Sequence, residues 1–176
     1  MKSTRNLCAA LALGLCLALS SVASLAAGVA DYLENKIVDH VLRGISYTAP
    51  TSVCAALLTG APDDASTGAT LAEAAWTGYS RAQLNPSASN WTSTQGGTSG
   101  ASTGTGGTTS NAVLMTFGTA PSTGPTVVSH LAILDSCTAG AGNVLFYAPL
   151  AASKTINAGD PAPTVPVGAI TVRPTD

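Results

Sequence analysis

The stretch VADYLENKIVDHVLRGISYTAPTSVCAALLTGAPDD, residues 29–64, decides the fold. It predicts an amphipathic helix, a tight break and an apolar strand. Asp31 stands where it can cap the helix, and Glu34 three residues on completes a capping-box-like pair. Leu33, Ile37, Val38, Val41 and Leu42 fall on one face at helical spacing. Acids at the start and Arg43 in the last turn suit the helix dipole, and Gly44 is a stop signal, so the helix spans 31–43. Pro50 closes the connection. Val53 to Thr59 then reads as a buried strand bounded by Gly60 and Pro62. A helix this short does not persist alone in water, so its apolar stripe is expected to pack on the rest of the chain.

Outward from that stretch the pattern is β. Glu73 to Leu84 runs through a break at Gly78 into a strand. Ala112 to Phe117, Thr126 to Leu134, Asn143 to Leu150, Ser153 to Asn157 and Val165 to Val172 are further strands, with Gly/Pro-rich turns between them. Pro166 places the last one at a sheet edge. About seven short strands at this spacing predict an antiparallel β-sandwich with one N-terminal helix. Asn85 to Asn111 carries no charge and turns to Gly, Ser and Thr from Thr92 onward. That composition builds no core, so residues 92–110 are expected to form a flexible exposed loop. Trp91 at its root either anchors the loop or faces a partner. No period of 20–50 residues recurs, so repeat architectures are excluded.

The chain has 176 residues, of which 9% are charged, against about 25% in ordinary globular domains. Its surface is therefore dressed with Ser, Thr, Gly and Ala. Residues 1–27 have a secretory leader's pattern: Lys2 and Arg5, an apolar run from Leu7 to Leu19, and small residues at Ser24-Leu25-Ala26. The other reading is a miscalled start, with the natural chain beginning at Val29. The single domain is then 28–176. Without the leader the chain holds five basic and nine acidic residues, a net charge of −4. No basic patch remains to neutralise several phosphates, so a nucleic-acid partner is not expected.

Outside the leader, which contains Cys8 and Cys16, only Cys54 and Cys137 remain. Export would permit a disulfide between them. The alternative is one buried thiol in the strand and one exposed thiol in a Gly-rich turn.

Catalytic constellations fail on chemistry. Two histidines, His40 and His130, cannot make a three-histidine zinc site, and no partner motif accompanies either. Ser129 and His130 are neighbours in a strand, which predicts opposite faces and no nucleophile–base pair. Gly100-Ala101-Ser102-Thr103-Gly104 fits G-x-S-x-G, but it lacks the strand–turn–helix setting that aims the hydroxyl. Gly104, Gly106 and Gly107 lack the lysine of a phosphate cradle. Asp63-Asp64 lacks the ligand spacing of a calcium loop. Glu34 and Glu73 show no sign of converging as a glycosidase pair. Arg81 and Asp135 read as a structural ion pair or as turn anchors. The expectation is a protein that is not an enzyme and needs no cofactor, metal or small-molecule substrate.

The ordered landmarks resemble a family of tailed-bacteriophage virion proteins, the capsid cement or decoration proteins that are often labelled tail fibre proteins. The matching pieces are DYLENKIVDHVLRG (31–44), YTAPTSVCAALLTGAPDDA (47–65), Glu73 with Gly78-Tyr79-Ser80-Arg81-Ala82-Gln83, Thr109-Ser110-Asn111 with Thr116-Phe117, VSHLAILD (128–135), GNVLFY (142–147) and SKTINAGD (153–160). They span about Val29 to Val172. The chain departs from the pattern at Cys54 and Leu58, where relatives carry aromatics, and relatives begin just before the helix. The resemblance implies a jelly-roll-like sandwich and a structural role stabilising the phage head. It implies the major capsid protein or other virion proteins as partners, and a homo-oligomer. Tyr32 and Trp91 are the candidate partner contacts. Tail placement is the nearest variant. An exported β-sandwich binding or adhesion module is the reading that the leader would favour.

Overall fold

A computed structural model describes residues 23–25, 28–98, 100–103 and 105–173. Most of the leader-like stretch, with Cys8 and Cys16, lies outside the described residues. Its Ala23–Leu25 (β1) runs parallel beside Ile170–Val172 (β9). No described helix is long and apolar enough to cross a membrane.

The fold is mainly β, with one helix (α1, Asp31–Leu42) among the described residues. Its principal sheet is antiparallel. Ala82–Gln83 (β3), Cys54–Leu58 (β2), Thr126–Leu134 (β6) and Val144–Ile156 (β7) lie side by side in the order β3-β2-β6-β7. β2 is buried along its whole length, as a short apolar run without alternation predicts for a central strand. Its register places Ala55 opposite Ile133 and Leu57 opposite Leu131. The smaller sheets are β1-β9-β4, with β4 at Thr109–Ser110, and β5-β8, made of Met115–Thr116 and Thr164–Val165.

The main core fills the space between these sheets. Leu57, Leu131, Ile133 and Ile156 of the large sheet pack with Met115, Phe117, Val165 and Ile170 of the small ones. Each such side chain contributes about 1.5–3 kcal/mol on burial. A second cluster, Ala56, Leu58, Ala132, Leu134 and Val144, lies on the other face of the large sheet under Ala30 and Leu71. This two-layer arrangement, antiparallel except for the β1–β9 pair, is consistent with the expected sandwich.

Several boundaries differ from the sequence reading. Asn143–Leu150 and Ser153–Asn157 form one long strand, β7. Pro149 has no N–H to give, and it is tolerated because β7 stands at the sheet edge. The expected strand 165–172 is two pieces, because Ala169 N–H turns back to the Pro166 carbonyl and Gly168 takes φ +72°. Only Met115–Thr116 of the expected strand 112–117 pairs. Gly118 (φ +69°) is required as glycine, since a Cβ there would collide with the Gly78 backbone.

The helix departs most. Its cap is Ala30, without a side-chain bond, and Asp31 is already the first helical residue. Asp31 N–H is satisfied instead by the Asp64 carbonyl at 3.0 Å. At the other end Gly44 (φ +68°) lets Ile45 N–H fold back onto the Asp39 carbonyl. Of the predicted apolar stripe only Leu33 is buried.

Candidate functional site

Periodicity gives a helix two faces but not the one that meets the body. Here the mixed face does. Tyr32, Lys36 and Asp39 are half-buried, with the Lys36 ammonium 5.5 Å from the centre of the Tyr32 ring. The helix is rooted through Val29, bridged to Phe146, and Ala30 N–H, bonded to the Leu145 carbonyl at 3.2 Å. Half a turn away, the apolar face points outward. Ile37 is 44% exposed, Val38 47%, Val41 69% and Leu42 78%, and Ile45 beyond the helix continues the patch. Glu34 lies on the same side near its N-terminal end. No described residue covers this face. The expectation that the stripe packs on the sandwich is corrected: its orientation is set by the rooting of residues 28–33 on β7.

Beside that root lies a cleft of about 440 Å³. Its floor reaches the core through Val53, Ile133, Leu145, Phe146 and Val172, and Trp91 forms one wall. Thr94, Ser102 and Thr108 of the Gly/Ser/Thr loop stand on its rim, and none of its lining residues is charged. Trp91 both anchors and lines: its indole N–H donates to the Leu84 carbonyl at 3.1 Å. The loop it opens is stitched at both ends. Thr92 and Ser110 exchange backbone and hydroxyl bonds, and Thr109–Ser110 pairs with β9. Asn111 is no part of an exposed loop. It is fully buried, donating to the Val113 and Pro166 carbonyls and accepting from Ile170 N–H at 2.9 Å.

Cys54 and Cys137 are joined as a disulfide, with Cα atoms 5.2 Å apart. It holds the 136–141 turn against β2. The same turn is gripped by Arg81, whose guanidinium donates to the Ser136 and Ala141 carbonyls at 2.8 and 2.9 Å. The charge partner of Arg81 is Glu73, in a two-pronged pair at 2.9 and 2.8 Å. Asp135 is not in that pair. It accepts from the backbone and side chain of Asn143 and closes the turn. Tyr79 completes the network, donating to Glu73 and accepting from Leu57 N–H. Burial pushes the Glu73 carboxyl up, but the Arg81 and Tyr79 hydrogen bonds and the Arg81 charge together outweigh it and hold it below its ordinary value. Burial, and then the Glu73 charge, push the Tyr79 hydroxyl up. Nothing in the spacing of Glu73 and Arg81 revealed this pair.

Other candidates take structural places. His40 Nδ1 accepts from Tyr47 N–H and pins the chain after the helix. Tyr147 donates to Asp64, which pushes its hydroxyl up to about 12. Ser129 and His130 do not point apart as alternation predicts. Val128 faces Lys154 while His130 faces Pro149, and this break in register leaves Ser129 out of the ladder. Its Oγ comes within 2.9 Å of His130 Nδ1. Among the described residues no carboxylate is hydrogen-bonded to the imidazole, so the pair lacks the orienting third group of a catalytic triad. Ser102 of the G-x-S-x-G match accepts from Thr94 N–H within the loop; Gly104 lies outside the described residues. Among the described residues no cluster of His, Cys, Asp or Glu is suited to a metal ion.

A family model described as podophage GP4 fiber I protein gp80 matches residues 28–173, which include the helix, the whole large sheet and both faces of the cleft. The chain belongs to that family. It is thus a bacteriophage structural protein of the virion. No curated protein matches it. The matched span begins just before the helix root, so Gly28 to Leu33 and its β7 contacts belong to the shared domain.

Proposed function

We propose that this chain is a non-enzymatic building block of the phage fibre apparatus, held to other virion proteins by exposed faces of a rigid sandwich. The observation that carries the reading is the family match over 28–173 to a fiber protein. The outward apolar face of α1 supports it, because contiguous apolar surface rimmed by polar groups marks association sites. The titratable groups of the interior support it too: Glu73, Arg81 and Tyr79 are consumed in holding a turn.

Head placement, as a capsid cement protein contacting the major capsid protein, is the second reading, and the landmark resemblance favours it. Gold-labelled antibody on purified virions separates the two. Label at the tail and its fibres is expected. Label spread over the head would overturn fibre placement, and absence of the chain from virion peptides would overturn both.

A further inference from the structure

The Cys54–Cys137 bond joins two pieces of the molecule that other interactions already hold in place. Cys54 opens β2, paired with Gln83 of β3 on one side and Leu134 of β6 on the other. Cys137 rides on the 136–141 turn. That turn is gripped by the Arg81 guanidinium through the Ser136 and Ala141 carbonyls. Within it the Ala141 N–H donates to the Thr138 carbonyl at 3.1 Å, and at its base Asp135 is fastened to Asn143. None of these hydrogen bonds uses a sulfur. Together they leave the two Cα atoms 5.2 Å apart, inside the roughly 4.4–6.8 Å that a disulfide spans. We propose that the pair is a late redox lock: the chain folds with both thiols reduced, and the bond closes on the finished sandwich by exchange with a small-molecule disulfide.

Compartment and burial both point this way. A bacteriophage structural protein is translated inside its host, where the thiol pool keeps cysteines reduced. A fold that relied on cystine to seat the 136–141 turn would fail there, and the buried Arg81–Glu73 pair seats it instead. Burial then sets the order of the exchange. Cys54 has no exposed surface, whereas Cys137 is half-buried beside exposed Thr138, Ala139 and Gly140. Only Cys137 can meet a disulfide from solution. Its thiolate attacks one sulfur of glutathione disulfide, forms a mixed disulfide and expels the other glutathione as a thiolate. Cys54 then gives up its proton and attacks the Cys137 sulfur, expelling the second glutathione. Two protein thiols are oxidised, one glutathione disulfide is reduced to two thiols, and the two protons end on those thiols. A thiol in apolar surroundings ionises reluctantly, so the second step is the slow one and the mixed disulfide accumulates first. The closed bond bridges a sequence separation of 83 and ties the end of the β6–β7 hairpin to β2.

The test uses the full chain made in a bacterial cytoplasm. Cells are quenched in acid, the protein is alkylated in denaturant, and peptide mass spectrometry reads Cys54 and Cys137 separately from Cys8 and Cys16. Both are expected as free thiols. Purified under reductant, the same protein should melt cooperatively, on the order of 10 °C below its oxidised form. Added glutathione disulfide should give a glutathione adduct on Cys137 that decays into the Cys54–Cys137 linkage. Cys54→Ala should stop at the Cys137 adduct. Cys137→Ser, a change on the half-exposed turn, should melt cooperatively and leave Cys54 unmodified. A chain already linked in the cytoplasm, a reduced chain with no cooperative melt, or an adduct formed first on Cys54 would each overturn the proposal. Virion placement, read from antibody labelling, is untouched by any of these results.

Discussion

Arg81→Met takes away a guanidinium that is wholly buried while leaving its partner, Glu73, 8% exposed at the side chain. Four charge-assisted hydrogen bonds go with it, two to the carboxylate and one each to Ser136 and Ala141. The Tyr79 hydroxyl and the Gly140 backbone N–H then remain on Glu73. Removing one partner of a buried pair costs about 3–5 kcal/mol, because the other charge stays in low dielectric. Methionine keeps much of the volume, so cavity formation adds little. With a urea m-value of about 2 kcal/mol per molar, the midpoint should fall by about 2 M. Trp76, stacked edge-on with Tyr79 at 4.7 Å, reports the transition by fluorescence. The pH dependence carries the sign. In the parent the Glu73 carboxyl lies below its ordinary 4.5, so the pair's contribution is complete above that value and is lost as pH falls through the folded pKa. In Arg81→Met burial, the largest influence, raises the carboxyl against the Tyr79 and Gly140 hydrogen bonds alone, and protonation on acidification relieves the buried charge. The gap between the two proteins should therefore be widest near neutrality and narrow towards pH 4. Glu73→Gln added to Arg81→Met should recover about 1–2 kcal/mol at pH 7 by removing the orphaned charge. A gap under about 0.5 kcal/mol, or one that does not change with pH, would refute the reasoning.

Asn111→Ala should cost about 3 kcal/mol in urea unfolding, since it strands the Ile170 N–H and the Val113 and Pro166 carbonyls in a fully buried position. Leu33→Ala should cost about 3 kcal/mol by cavity formation, while Val38→Ala should change stability by less than about 0.5 kcal/mol. Equal effects at the two positions would mean that the helix faces the other way. Reducing the Cys54–Cys137 bond, which closes a sequence separation of 83, should lower the melting temperature by an amount equivalent to about 2–4 kcal/mol, read by calorimetry with and without a thiol reductant.

The elements that were legible in the sequence are those whose signal is local. The run Val53–Thr59 announced β2 because a central strand needs apolar residues on both faces. Thr126–Leu134 announced β6 through its β-branched density. The helix was legible as a helix, yet the direction of its apolar stripe was not. Periodicity records which residues are alike and says nothing of which side the chain roots, and that is fixed by Ala30 and Leu145, far apart in sequence. Glu73–Arg81 was hidden for the same reason: the carboxylate and guanidinium meet across Gly78, and only the 136–141 turn explains why the guanidinium is buried. Ser129 and His130 misled because alternation assumes an unbroken ladder, and register is a property of two strands together. Asn111 was indistinguishable by composition from the loop that it terminates. Trp91 was the exception, an isolated aromatic in a polar tract, and it proved to be the loop's anchor.

The pairing of β2 with β6 also governs the order in which the molecule can be built. Leu57 must find Leu131, and Cys54 must find Leu134, across a chain that includes β3, β4, β5 and the long loop. Contacts so remote in sequence form slowly, because the entropy of closing the loop is lost before any pairing rewards it. The β6–β7 hairpin needs only the turn between Leu134 and Val144 and is the natural first element. During translation α1 and β2 leave the ribosome ahead of every strand that shelters them. Each nascent chain therefore carries the apolar residues of β2 bare until β6 has been made, and that interval is when exposed apolar surface is most open to wrong partners.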